Sequence, residues 1–190
     1  QAQRAIQATL GHPDRFWQNY GLPMYCPANH LTVAATDHDL PFPAFEAVDI
    51  PWNALIGAGL LRYGRQKEAA VLFQRLMSAI VRALKQEGAF RQYYSANQGQ
   101  GIGLPNILSG LPPLGWFLDL IGVRFSFNRG LSELPDIQLQ RINPFPWPIT
   151  VKYRGITVIR QKEKTIVILP DGQSAEIADP APCQISLALT

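Results

Sequence analysis

The stretch DIPWNALIGAGLLRYG, residues 49–64, carries every local signal of an amphipathic helix. Pro51 stands where a first helical residue should stand, and Asp49 just upstream can cap the free backbone N–H groups. Gly64 follows as a stop signal. Apolar side chains recur at helical spacing on one face, namely Trp52, Leu55, Ile56, Leu60 and Tyr63. The stretch therefore predicts a helix over residues 50–63.

A second and stronger apolar stripe follows after a few residues. Its members repeat every three to four positions and are Ala69, Phe73, Leu76, Ile80 and Leu84. Gly88 is the expected end of this second helix. Two helices joined by so short a connection form a hairpin.

The next segments give mixed signals. Residues 90–103 are rich in Gly, Gln, Asn and Tyr and predict a loop. Residues 105–121 predict a third helix closed by Gly122, although Pro112 and Pro113 interrupt it. Either the helix begins at that proline pair, or the part before the pair is a kinked turn.

Beyond residue 123 the period changes from about 3.6 to about 2. Residues 149–160, 165–169 and 183–189 alternate or are rich in β-branched side chains, and residues 169–173 read LPDGQ, a turn signal. The sequence predicts an antiparallel sheet from about residue 139 onward. The proline- and aromatic-rich residues 143–148 are expected to form a packed connector.

Composition and charge exclude several classes of protein. The chain has 190 residues, of which 47% are hydrophobic and 16% charged, and its net charge is +3 with basic and acidic residues interspersed. A disordered chain and a dedicated nucleic-acid binder are therefore not expected. No apolar run reaches the roughly 18 residues of a membrane span, and no signal peptide is visible, so no membrane partner is expected. Because the chain starts at Gln1 within a helical pattern, we expect a longer polypeptide whose N-terminal part is missing.

Metal and redox chemistry have little support in the sequence. Cys26 and Cys183 lack any CxxC spacing and are interpreted as small buried apolar residues. Asp37, His38 and Asp39, with His30 nearby, superficially resemble ligands. Alternating residues point in opposite directions on an extended chain, and no second cluster completes a coordination shell, so a polar loop is the favoured interpretation. No metal and no cofactor are predicted.

The residues 49–64 resemble the "PWxxLIxxGLLRYG" helix of the six-hairpin, (α/α)6-barrel glycoside hydrolases, a group that contains glycoside hydrolase family 63, trehalases and glucoamylase-like or debranching glucosidases. The segment FRQYY at residues 90–94, followed by GQG at residues 99–101, resembles their "F-x-E-x-Y … T-G-x-G" segment. FW at residues 16–17 and YGLP at residues 20–23 are similar to a stretch that precedes the same helix. The resemblance covers most of residues 1–125.

This resemblance implies a mainly α fold, with the C-terminal part of an (α/α)6 toroid of helical hairpins over residues 1–138 and a small antiparallel β cap over residues 139–190. It also implies an enzyme that hydrolyses O-glycosidic bonds of oligosaccharides, with an inverting pair of carboxyl groups. The general acid would lie upstream of Gln1, so the chain alone would be inactive. The missing N-terminal part of the same protein is then an expected partner, beside an oligosaccharide or glycoside substrate.

The base position of the resembled segment is occupied by Gln92. An amide cannot accept a proton from water near neutral pH, so general-base catalysis would be lost or moved to another carboxylate. Glu46 is the first fallback, with a solvated or capping acid as the alternative. Asp49 is better explained as a helix cap, and Glu87 as an exposed acid at a helix end. A non-catalytic carbohydrate-binding or scaffold protein is the alternative function.

Sugar contact is predicted for five residues with suitable aromatic or amide side chains at loop-to-helix junctions, namely Trp52, Asn53, Tyr93, Tyr94 and Asn97. Helix packing is an equal alternative for Trp52. Because Tyr93 and Tyr94 are adjacent, only one of them can point inward on an extended chain. Arg62 and Arg65 are interpreted as surface charges that could otherwise reach acidic sugars.

Overall fold

A computed structural model describes residues 4, 8, 10, 12, 15–26, 46–126, 135–178 and 183–185. The chain divides into two compact units, Gln1–Pro113 and Leu114–Thr190. None of the helices in the described ranges combines the length and the apolar character that crossing a bilayer requires.

Helix α1 spans Ile50–Arg62 and confirms the prediction for residues 50–63 within one residue. The carboxylate of Asp49 accepts a hydrogen bond from the backbone N–H of Trp52 at 2.8 Å, so Asp49 is the N-cap as expected. The buried face of α1 carries Ile50, Leu60 and Leu61. The predicted apolar face is wrong, because Trp52, Leu55 and Tyr63 are exposed and only Leu60 of that stripe is buried. The local capping chemistry, rather than the stripe, therefore marks where this helix begins.

Helix α2 spans Gln66–Glu87 and packs against α1, which confirms the predicted helical hairpin. Gly88 ends it in the left-handed conformation. Four of the five residues of the predicted stripe are buried, namely Ala69, Phe73, Leu76 and Ile80, and Leu84 is half-buried. These side chains form the core of the first unit.

An antiparallel sheet follows where a loop was predicted. Strands β1 (Ala47–Val48), β2 (Arg91–Ser95) and β3 (Gly101–Pro105) pair in the order β1-β2-β3. Val48 pairs with Tyr94, and Tyr94 pairs with Gly101. The loop prediction for residues 90–103 is wrong. Their composition gives no strand signal, but pairing with β1 and packing on α2 stabilise a β-hairpin there.

The third predicted helix is shorter than residues 105–121. A 3₁₀ turn covers Leu108–Gly110, and helix α3 covers only Leu114–Ile121, directly after the proline pair. The alternative in which the helix begins at that pair is therefore correct. Because proline lacks the N–H that a helix interior needs, the pair fixes the beginning of α3.

The second unit contains two antiparallel sheets. Strands β4 (Val123–Ser126), β5 (Asp136–Leu139) and β10 (Cys183–Ile185) form one sheet in the order β10-β5-β4. Strands β6 (Ile149–Tyr153), β7 (Ile156–Arg160), β8 (Lys164–Ile168) and β9 (Ser174–Ala178) form the other, each paired with the next. The predicted turn after residue 169 joins β8 to β9, with Leu169 N–H donating to Gln173 O at 2.8 Å.

The expected fold class, a mainly α partial toroid with one C-terminal β cap, is wrong. The described ranges contain three α-helices and ten short strands in three antiparallel sheets, one of which lies in the first unit. A toroid needs successive helical hairpins, but the segment after α2 forms a β-hairpin, and the proline pair confines the next helix to eight residues. The chain is an α+β protein, and in its first unit the helical hairpin packs against a small sheet.

The connector at residues 143–148 is packed, as predicted. Asn143 is buried, and its amide donates to Trp147 O at 2.9 Å and to Arg160 O at 3.1 Å. The Phe145 ring is buried and stacks on the Trp147 ring with centroids 5.5 Å apart. These contacts hold the connector against the four-stranded sheet.

Candidate functional site

A cleft of about 410 Å³ lies at the N-terminal end of α1, between that helix and residues 15–26. Its walls carry three aromatic rings, from Phe16, Tyr25 and Trp52, and two polar side chains, from Asp49 and Asn53. The other lining residues are aliphatic, methionine or proline. An apolar cleft with few polar groups at its mouth is the usual form of a small-molecule site.

Asn53 builds one wall of this cleft by joining the chain segment at Leu22 to α1. Its Oδ1 accepts from the Leu22 N–H at 2.8 Å, and its Nδ2 donates to Leu22 O at 2.9 Å and to Asp49 O at 2.8 Å. The residue is 1% exposed. Both donors of the amide group are thus used within the protein, and Asn53 shapes the cleft while offering a ligand no free N–H.

Asp49 is the acidic group of the cleft. One carboxylate oxygen, Oδ1, accepts from Trp52 N–H and caps α1. The other oxygen, Oδ2, receives no hydrogen bond from the residues that the structure describes. The side chain is half-buried and lines the cleft, so this oxygen can accept from a hydroxyl group of a bound molecule.

Trp52 lines the same cleft, although 63% of the residue is exposed. Helix packing, the alternative interpretation, would bury the indole, but the core-facing positions of α1 belong to other residues. An exposed indole at the rim of a cleft offers a flat apolar face of the kind that covers the C–H side of a pyranose.

Gln92 lies on β2, whose neighbouring strand β1 leads directly into α1. Its Nε2 donates to the Tyr93 hydroxyl and its Oε1 accepts from the Leu104 N–H, both at 3.4 Å. These long hydrogen bonds hold a half-buried amide on the hairpin. Gln92 is not among the residues that line the cleft around Trp52.

The adjacent tyrosines face opposite sides of β2, as predicted. Tyr94 is fully buried, donates to Gly110 O at 2.9 Å and accepts from the Arg91 N–H at 3.2 Å. Burial raises the pKa of the Tyr94 phenol; the Arg91 N–H lowers it and the Glu87 carboxylate raises it further. Tyr94 is therefore a core residue, and Tyr93, which is half-buried, is the one beside Gln92.

Two further predicted residues lie at the ends of the sheet. Asn97 is exposed in the turn that joins β2 to β3. Glu46 directly precedes β1, and its backbone O accepts from the Ala96 N–H at 2.7 Å. Neither residue is among those lining the cleft, so the structure brings together Trp52 and Asn53 but separates them from the hairpin residues.

Glu87 has a structural contact that the sequence analysis missed. Its carboxylate accepts from Arg91 Nε at 2.6 Å and from the Gly101 N–H at 3.0 Å, while Arg91 also donates to Gly103 O at 3.2 Å. Glu87 is exposed, as expected, but its carboxylate is engaged in this ion pair and its side chain is only 23% exposed. The i,i+4 spacing of Glu87 and Arg91 was a visible signal for this ion pair.

Metal ligation finds no support in the part of the chain that the structure describes. There, no group of three or more His, Cys, Asp or Glu side chains could hold a metal ion. The residues Asp37, His38, Asp39 and His30 lie outside the described residues. Cys26 and Cys183 are half-buried, less buried than predicted.

Phe16, Met24 and Tyr25 also line the cleft and were not predicted as site residues. Phe16 belongs to the FW segment, and Met24 and Tyr25 directly follow the YGLP segment, but nothing local showed that these residues fold against α1. Comparison of the chain with protein-family models, with curated proteins and with solved structures found no match. The site is therefore interpreted from its own chemistry: a flat aromatic face, one available carboxylate oxygen and an apolar interior.

Proposed function

We propose that this chain is part of a glycoside hydrolase that acts on O-glycosidic bonds of oligosaccharides, and that the cleft beside Trp52 contacts the sugar. The motif resemblance of residues 49–64 and 90–101 favours this class of enzyme. The general acid would be supplied from upstream of Gln1, as that resemblance implies. The chain would then contribute substrate contacts and a part of the catalytic surface.

The observation that carries the proposal is the position of Trp52. The indole is 63% exposed yet lines a cleft that also presents the Asp49 carboxylate. Sugar sites pair an aromatic face, which covers C–H groups, with polar atoms that bind hydroxyls. Here the aromatic face is Trp52 and the polar group is the Asp49 carboxylate. The two residues are three positions apart and are joined by the hydrogen bond from Trp52 N–H to Asp49 Oδ1.

Sugar binding tests the proposal directly. Calorimetric titration of the chain with methyl glucoside, methyl mannoside and malto-oligosaccharides should detect binding, and Trp52→Ala should weaken it by about tenfold. Leu55→Ala is the matched control, since Leu55 is 65% exposed on the same helix but does not line the cleft. Equal affinities of the wild-type chain and Trp52→Ala would contradict the proposal.

A second candidate is a non-catalytic carbohydrate-binding protein, and the amide at Gln92 favours it. Inverting hydrolysis needs two carboxyl groups roughly 6.5 to 9.5 Å apart. Among the described residues that line the cleft, Asp49 is the only one with a carboxyl group. A sugar could therefore be bound in this cleft without being cleaved. The amide of Gln92, which stands at the resembled base position but does not line the cleft, supplies no base.

Hydrolysis by the longer polypeptide separates the two candidates. If the protein is an enzyme whose base position is Gln92, Gln92→Glu should raise the rate of hydrolysis by about 10²- to 10⁴-fold. Gln98→Glu, in the exposed turn of the same hairpin, is the matched control for the added charge. Sugar binding without hydrolysis in both the wild type and Gln92→Glu would favour the non-catalytic protein. If the wild type hydrolyses the substrate and Gln92→Glu has the same rate, another carboxylate acts as the general base. Glu46 would then be the first residue to replace.

A further inference from the structure

We infer that Asp49 is a specificity-determining residue that restricts the cleft to neutral sugars and rejects sugars that carry a carboxylate or a phosphate. The inference rests on the proposed sugar-binding function. It adds a substrate class, and it gives Asp49 a second role beside capping α1.

The charge of the cleft supports this selectivity. Of the described residues that line it, only Asp49 and Tyr25 have ionisable side chains, and the carboxylate is the only charged group. An anionic ligand entering the cleft would approach a like charge across an apolar surface, where repulsion is stronger than in water. A neutral sugar instead presents hydroxyl groups that can donate to Oδ2.

None of the described residues that line the cleft is a lysine or an arginine. Arg62 lies at the other end of α1, about 20 Å away along the helix axis, and Arg65 follows it and pairs with Glu68. Arg75 lies over the Trp17 ring, 5.2 Å from its centroid, and donates to Gln18 O at 2.5 Å. The surface arginines that could have served acidic sugars are thus remote or already engaged.

The geometry of Asp49 keeps its second oxygen available. The hydrogen bond from Trp52 N–H to Oδ1 fixes the carboxylate at the helix end, and the backbone O of Asp49 is occupied by Asn53 N–H at 3.1 Å and by Asn53 Nδ2. Rotation of the carboxylate out of this position would break the hydrogen bond that caps α1. Fixed polar groups of this kind give a site its selectivity, because they reject ligands that cannot match them.

Matched pairs of ligands test the inference. Each pair consists of a methyl glycoside and its C6-oxidised uronide, with the gluco, manno and galacto rings all included. We expect the neutral member to bind at least about tenfold more tightly than its uronide. Asp49→Asn should reduce this ratio to near one while leaving thermal stability almost unchanged, because asparagine caps helices as well as aspartate does.

Two further variants complete the design. Glu68→Gln removes the same charge outside the cleft and should keep the discrimination of the wild type. Asp49→Ser keeps a capping side chain but removes the second oxygen and the charge. If Asp49→Asn fails to fold, Asp49→Ser replaces it in the same measurement, with the same expected ratio near one. Neutral glycosides and uronides that bind equally well to the wild type would overturn the inference and leave the proposed function standing. Failure of every neutral glycoside to bind would overturn the proposed function and this inference with it.

Discussion

Asn53 shows how one amide side chain can fix both a chain segment and the shape of a cleft. The sequence predicted a sugar contact because Asn53 has an amide side chain and lies at a loop-to-helix junction. In the structure its hydrogen bonds are made to the backbone of Leu22 and Asp49. The two hydrogen bonds to Leu22 use both its N–H and its O, as a neighbouring strand would, and they hold the residues around Leu22 beside α1.

The first prediction concerns the stability that Asn53 provides. Asn53→Ala should lower the free energy of unfolding by about 3 kcal/mol, because the buried N–H and O of Leu22 lose their partners. Asn97→Ala, in the exposed turn, should change it by less than about 0.5 kcal/mol. Chemical denaturation measures both values. Similar losses for the two variants would contradict the role assigned to Asn53.

A second prediction at this scale follows from the raised pKa of Tyr94. Since burial favours the neutral phenol in the folded state, its contribution to stability is fully present below the unfolded pKa of about 10 and is lost as pH rises through the higher folded value. The free energy of unfolding should therefore fall on the alkaline side. Tyr94→Phe should show a flatter alkaline limb and, at pH 7, a loss of about 1 kcal/mol from the missing hydrogen bond to Gly110. An alkaline limb as steep in Tyr94→Phe as in the wild type would show that Tyr94 is not its source.

At the scale of secondary structure, the first sheet depends on a close approach between the 3₁₀ turn and β2. A Cβ atom added at Gly110 would stand 1.8 Å from the backbone O of Arg91. The Tyr94 hydroxyl donates to the carbonyl of the same glycine. The turn can approach the strand this closely only because residue 110 has no side chain.

Replacement of Gly110 tests that contact. Gly110→Ala should destabilise the protein by about 2 kcal/mol or more, since backbone atoms must move apart. Gly59→Ala is the opposite case: an added Cβ there meets no atom within 4 Å, and alanine in a helix interior should stabilise by roughly 0.5 to 1 kcal/mol. Thermal unfolding measures both changes. A neutral Gly110→Ala would mean that the turn does not pack on β2 as described.

The elements that could be predicted are those with local signals. Helix α1 has its cap and its proline within the first turn, and α2 has an apolar stripe over 22 residues, so neither depends on distant contacts. The β2–β3 hairpin could not be predicted, because β2 is polar, β3 contains two glycines and a proline, and the hairpin is held by β1 and by Glu87 from elsewhere in the chain. The cleft was missed in part for the same reason: Trp52 was visible on its helix, but the segment that packs beside it was not.

At the scale of the whole molecule, the chain combines two compact units with different architectures. The first has a helical hairpin, a small sheet and the cleft. The second has a short helix and two antiparallel sheets. The toroid expected over residues 1–138 would have required helical hairpins to continue up to the β cap, whereas strands β2 to β5 already lie between Arg91 and Leu139.

We predict that the 190-residue chain alone does not hydrolyse glycosides at an enzyme-like rate. Within the described lining of the cleft, Asp49 has no second carboxyl group with which to form an acid and base pair. An assay of the purified chain against a panel of glucosides and mannosides tests this. The prediction is contradicted if the chain turns over a glycoside well above background and a point substitution within the chain abolishes that turnover. The catalytic site would then be complete within these 190 residues.

The order of strands in the second unit has a consequence for how the chain reaches its fold. Strand β10 pairs with β5, and the consecutive hairpins of β6 to β9 lie between them along the chain. Four antiparallel strands return the chain to the end of the sheet at which it entered, about 14 Å away across three strand spacings. If the local hairpins of β6 to β9 form first, they shorten the effective loop between β5 and β10. The entropic cost of pairing β10 with β5 is then smaller. Ile156→Ala, which removes a fully buried side chain from β7, should accordingly speed amide exchange in β10, although the two strands belong to different sheets.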